Sequence, residues 1–115
     1  MDNIFKTTKN SQSPEERQAL SRLRKLLSEP GLLQASLFRR RRACGKSYCR
    51  CALSRKHWHA SWYVGFSTKG GPRMKCIPEE GVAPVRLWIE RYRETETVMQ
   101  NISKMYWKRL KSARR

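Results

Sequence analysis

Cys44-Gly45-Lys46-Ser47-Tyr48-Cys49-Arg50-Cys51 places three thiols within eight residues. A closed structural zinc site needs four nitrogen or sulfur donors in a tetrahedron. One tight loop can supply three of them, with Gly45 easing the turn. The fourth must come from outside the loop, and His57, His59 and Cys76 are the candidates. His59 stands just before an aromatic strand, so it can close the loop back onto the cluster. Cys76 stands on the following strand and reaches the cluster only if that strand packs there. A thiol-disulfide catalyst would instead carry a Cys-x-x-Cys pair near a βαβ pattern, and this chain has neither. Without a metal, three thiols flanked by Arg42, Lys46 and Arg50 would be acidic and easily oxidised.

Outward from the cluster the pattern is that of short strands. Ser36–Arg42 has a brief apolar start and then four arginines, consistent with a strand leading into the loop. Across Ala60–Ser67, Trp62, Val64 and Phe66 alternate with Tyr63 and Gly65. Lys69-Gly70-Gly71-Pro72 is turn chemistry, and Arg73–Ile77 alternates again, with Arg73 and Lys75 opposite Met74 and Cys76. Residues 36–78 therefore form a basic β-hairpin or three-stranded sheet. It has too few aliphatic residues to hold itself together, and a structural zinc contributes folding free energy directly.

The flanks are helical. Ser13-Pro14-Glu15-Glu16 combines an N-cap, a proline at the first helical position and a capping-box glutamate. It opens a helix over residues 13–29 that Pro30-Gly31 stops. Leu20, Leu23 and Leu27, beside Ala19 and Leu26, form its apolar stripe. A second, long helix is expected over residues 82–113. Its seam is Val85, Trp88, Tyr92, Thr95, Met99, Ile102 and Tyr106. That seam packs within the chain or pairs with another subunit. The helix end and tail carry Lys104, Lys108, Arg109, Lys111, Arg114 and Arg115, more cations than the helix dipole needs. The fold class is thus α+β: a disordered tail over residues 1–12, then a single domain over residues 13–115.

Charge points to the partner. Twenty-six Lys and Arg against nine Asp and Glu give a net charge of +17. Between Gly31 and Pro78 there is no acid at all, yet there are Arg39, Arg40, Arg41, Arg42, Lys46, Arg50, Arg55, Lys56, Lys69, Arg73 and Lys75. One sign confined to one segment indicates a binding face for a polyanion. The expected nucleic-acid contacts are Arg39–Arg42, Lys46, Arg50, Arg55, Lys56, Arg73 and Lys75, acting on phosphates. Trp58, in a loop among these cations, is the candidate for stacking on unpaired bases, and DNA is favoured slightly over RNA.

Residues in this order resemble a known family. Ser36-Leu37, Arg42-Ala43-Cys44-Gly45-Lys46, Cys49-Arg50-Cys51, His59-Ala60-Ser61-Trp62-Tyr63, Ile77-Pro78-Glu79-Glu80 and Trp88-Ile89-Glu90-Arg91-Tyr92-Arg93 are similar to a group of small prokaryotic proteins of unknown function. Members are often encoded in or beside transposable elements, and the resemblance spans residues 33–110. Its most specific part is Cys-Gly-Lys-x-x-Cys-x-Cys. Here Ala60-Ser61 stands where the family has Gly-Pro. The family carries an aromatic or aliphatic residue at the position of Cys76, so the resemblance favours Cys44, Cys49, Cys51 and His59 as the zinc ligands.

Other functions are disfavoured. There is no Ser-His-Asp order, phosphate-binding glycine loop or acidic metal site, so no enzyme and no small-molecule substrate are expected. No apolar run follows the polar start Met1–Asn10, and none approaches a membrane span. A cytoplasmic protein in a nucleoid or ribonucleoprotein setting is the expectation, with cysteines reduced and free to bind metal. The competing reading is a docking subunit of a ribonucleoprotein or protein assembly, working through the long helix.

Overall fold

Strict alternation turns the acid-free segment into a sheet. The structure, a computed structural model, describes residues 5–112. Strands β1 (Ser36–Arg42), β2 (His59–Thr68) and β3 (Gly71–Ile77) form an antiparallel sheet in the order β1-β2-β3. Helices α1 (Pro14–Ser28) and α2 (Val82–Lys111) flank it in sequence. The expected α+β architecture, with an N-terminal helix, a three-stranded sheet and a long C-terminal helix, is what the chain adopts. The Lys69-Gly70 turn is closed by the Thr68–Gly71 pair, and Gly71 takes a φ of 111° that a side chain would resist. Gly71 and Pro72, expected in the turn, are instead the first two residues of β3, an edge strand that tolerates the missing N–H of Pro72.

The chain divides into two compact units: residues 32–90, and residues 1–31 with 91–115. Helix α2 contributes its first nine residues to the former and its remainder to the latter. In the first unit, Leu37, Val64 and Ile77 on one sheet face pack with Val85 and Ile89 of α2, together with Leu33 and Ala35. The Leu33 amide donates to the Trp88 carbonyl at 3.2 Å. Ile89 is 3 % exposed whereas Trp88 is 39 % exposed. The buried stripe therefore steps from Val85 to Ile89, four residues on, and Trp88 falls outside it. Ile89→Ala should cost about 2–5 kcal/mol in urea unfolding of the metal-loaded chain, the usual range for a deleted core side chain.

In the second unit, the Ser13 Oγ accepts from the Glu16 amide at 3.1 Å. The Glu16 carboxylate does not complete the expected capping box. It is buried and accepts the Tyr106 hydroxyl at 2.8 Å, an interaction that together with desolvation raises the tyrosine pKa. On α1, Leu26 is buried and Ala19, Leu20 and Leu23 are half-buried, as the expected stripe requires, whereas Leu27 is exposed. Arg22 pairs with Glu94, its Nε 2.8 Å from Oε1, and Arg91 donates to the Gly31 carbonyl at 2.8 Å. Of the tail expected to be disordered, Lys9–Ser11 form a 3-10 turn in which the Ser11 hydroxyl donates to the Thr8 carbonyl. Residues 1–4 and 113–115, the last including Arg114 and Arg115, lie outside the described residues. Along the α2 seam beyond Tyr92, Thr95 is buried, Ile102 and Tyr106 are half-buried, and Met99 is exposed. No helix among the described residues is long and apolar enough to cross a membrane.

Candidate metal centre

The loop that carries the thiols begins where the sheet stops. Arg42 of β1 pairs with His59 of β2, so residues 43–58 leave and return at one end of the sheet. Gly45 turns the chain with a φ of 85°. The Cys49 amide then donates to the Lys46 carbonyl at 3.2 Å, and a 3-10 turn over Arg50–Ala52 follows. A second 3-10 turn, Arg55–His57, is capped by the Ser54 hydroxyl, which accepts from the Lys56 amide at 3.2 Å. Within residues 43–58 only Cys51 is buried, at 2 % exposure. Backbone turns without an apolar core cannot fix such a loop, which is the energetic place for a metal.

Cys44, Cys49, Cys51 and His59 converge there. Their four donor atoms all lie within 4.8 Å of one another, near the ~3.8 Å edge of a tetrahedron built on 2.3 Å zinc–sulfur bonds. The Cys44 and Cys51 sulfurs are 3.3 Å apart, and His59 Nε2 is 3.1 Å from the Cys49 sulfur. These residues can hold a metal ion. Cys76 does not join them: it pairs with Tyr63, four residues along β2 from His59. His57, in the second 3-10 turn, also stands outside the cluster.

The thiols are not equivalent. A hydrogen bond from the Cys51 backbone, then one with the His59 side chain, lowers the Cys49 pKa to about 6. At Cys51, the hydrogen bond from the Cys44 amide acts downward. It is outweighed by burial and by the neighbouring Cys44 and Cys49 sulfurs, so the net shift is upward.

The cations around the centre do not form the single face expected of them. Four consecutive arginines on a strand must alternate. Arg39 and Arg41 share a face with Trp62, Val64, Arg73 and Lys75. Arg40 and Arg42 share the opposite face with His59, Ser61 and Tyr63. Their tasks differ accordingly. Arg39 and Arg86 lie 5.6 and 5.7 Å from the Trp62 ring centroid. Arg41 donates to the Arg55 and Lys56 carbonyls at 2.9 and 3.2 Å, bracing the second 3-10 turn. Arg55 lies 5.0 Å from the Trp58 ring centroid, so Trp58, the expected stacking residue, is half-buried under a cation. Lys46 lies 5.9 Å from the Tyr48 ring, which is 82 % exposed at the loop tip. Arg50 opens the turn that contains Cys51. Sequence reading missed Arg86 and the Phe38–Tyr63 pair. The signal for the latter was present, since Phe38 is in phase with Arg40 and Arg42. No protein-family model, curated protein or solved structure matches this chain.

Proposed function

We propose that this protein binds nucleic acid through a basic surface whose shape is fixed by one zinc ion on Cys44, Cys49, Cys51 and His59. One observation carries the reading. Eleven Lys and Arg crowd residues 32–78 without an acid, and the Arg22–Glu94 ion pair lies outside that segment. A solubilising surface mixes both signs and pairs many of them, whereas unpaired cations of one sign fit a phosphate backbone. Zinc is the metal because three thiolates and an imidazole form a closed, soft, tetrahedral set. The ion would hold the loop so that Lys46 and Arg50 project from a fixed frame. DNA is the first candidate over RNA, and the motif resemblance supports an accessory role beside a mobile-element enzyme.

A second reading has its own support. Met99 and Leu110 on α2 are 50 % and 46 % exposed, which suits a docking subunit of a larger assembly. Titration of the full chain into labelled 20-base-pair DNA at 0.15 M salt separates the two. Dissociation constants of about 10⁻⁴–10⁻⁶ M or tighter support nucleic-acid binding. No binding there, with self-association or a captured protein partner instead, supports the docking reading.

A further inference from the structure

We infer that the sheet face opposite α2 is a stacking platform for the unpaired bases of a single-stranded nucleic acid, with Phe38 as its aromatic surface and Arg40 and Arg42 as its phosphate contacts. The inference rests on the nucleic-acid reading above and narrows it to one face and one strand form.

The strand register lays the parts out in a line. Going along β2 on this face, His59 sits beside Arg42, Ser61 beside Arg40, Tyr63 between Phe38 and Cys76, and Gly65 between Ser36 and Met74. From His59 to Gly65 is six residues, about 20 Å at ~3.4 Å per residue. The metal centre thus stands at one end, the arginines in the middle and the apolar shelf at the other end. The sheet's other face packs Leu37, Val64 and Ile77 against Val85 and Ile89 of α2 and leaves Arg39, Arg41, Phe66, Arg73 and Lys75 exposed; on this face Tyr63 is buried beneath its neighbours, Phe38 is half-buried, and Met74 and Cys76 are exposed.

The shelf has the shape of a base-binding surface. Phe38 and Tyr63 stack with ring centroids 6.0 Å apart and planes inclined by 19°. The Phe38 ring settles over Gly65, where a Cβ would meet its Cε1 at 3.0 Å and push the ring away by a few tenths of an ångström. Beside it lies a depression of about 520 Å³ whose lining includes Ser36, Phe38, Gly65, Arg73 and Met74, within the size range of small-ligand sites. Arg40 reaches from β1 across the central strand to bring Nη1 within 3.7 Å of the Met74 sulfur on β3. A thioether is a weak acceptor, so this contact holds the guanidinium over the sheet without neutralising it.

A flat aromatic and thioether surface flanked by unneutralised arginines fits base faces joined by phosphates. A duplex hides its base faces, and an acidic peptide makes no use of the ring. The test uses the full chain with its bound metal and three labelled probes: twelve-nucleotide oligo-dT, twelve-nucleotide oligo-U and a twelve-base-pair DNA duplex. Phe38→Leu keeps an apolar side chain but removes the π face. It should weaken both single strands by about fivefold or more while leaving duplex binding within about twofold. Gly65→Val, which displaces the ring, should act in the same direction. Photocrosslinking of bromouracil-substituted oligo-dT to the parent protein should label peptides within residues 36–42 or 59–68, which decides the matter even if a variant fails to fold. Crosslinks confined to Trp58 or Trp107 would overturn the inference. So would equal effects of Phe38→Leu on all three probes, or polyglutamate binding as tightly as oligo-dT. In those cases duplex affinity tells whether the broader nucleic-acid reading survives. Failure of the parent protein to bind any of the three probes would sink both.

Discussion

On the zinc-site reading, removing the metal should collapse residues 32–90. A strong chelator is expected to abolish the near-UV circular dichroism of Trp58 and Trp62, with a smaller loss of far-UV helical signal, because most of α2 and all of α1 belong to the other unit. The reason is the absence of any alternative support for the loop. Residues 43–58 bury one side chain, Cys51, and that side chain is itself a ligand candidate. Structural zinc contributes about 10–16 kcal/mol of apparent binding free energy in small zinc-dependent modules. That is comparable to the ~5–15 kcal/mol that stabilises a whole domain. Cys51→Ser should lower metal affinity by more than about a hundredfold, since even changes in groups that merely support a ligand cost 10–100-fold. His59→Ala should act in the same direction, and Cys76→Ser should leave affinity unchanged. Retention of metal by His59→Ala together with its loss in Cys76→Ser would reassign the fourth ligand.

The other large effect concerns charge. Arg40, Arg42 and Arg50 together should carry three phosphate contacts, so replacing all three with alanine should make the salt slope shallower by about 2.7 units. At 0.1 M salt that corresponds to a loss of roughly two to three orders of magnitude in duplex affinity. The choice of arginines follows from the strand alternation. Arg40 and Arg42 stand with His59 on the face opposite α2, and Arg50 stands on the metal loop. Arg39 and Arg41 are poorer choices because they have structural work. Arg39 lies against Trp62, and Arg41 braces the turn that ends before Trp58. Arg41→Ala should therefore disturb the loop first, and its effect on binding should be accompanied by weaker metal retention.

Much of this was legible before the structure, and the failures have physical causes. Strong local signals carried through. Ser13-Pro14 starts α1, Lys69-Gly70 turns the hairpin, and the Cys-x₄-Cys-x-Cys spacing with His59 brings four donors together. The stripes on α1 and α2 follow most of the expected positions, but Leu27, Trp88 and Met99 face outward, and Ile89 takes the core place expected of Trp88. On a helix, adjacent apolar residues sit 100° apart, and only the neighbouring element decides which one turns inward. The arginine run was read as one face because charge was counted along the chain. Alternation on a strand, available from the same residues, divides it in two. The Glu16 side chain could not be assigned locally, because its partner Tyr106 lies ninety residues away. The two-unit division was hidden for a related reason. The break falls inside an uninterrupted helix, between Glu90 and Arg91, where no turn residue marks it.

Salt dependence tests the central claim most directly. Fluorescence anisotropy of a labelled DNA duplex, titrated with the full chain and its bound metal from 50 to 400 mM salt, gives log K against log salt. Arg40, Arg42, Lys46 and Arg50 acting on separate phosphates predict a straight line with a slope of about −3.6 or steeper. A slope near zero, or no binding at the lowest salt, would contradict the account.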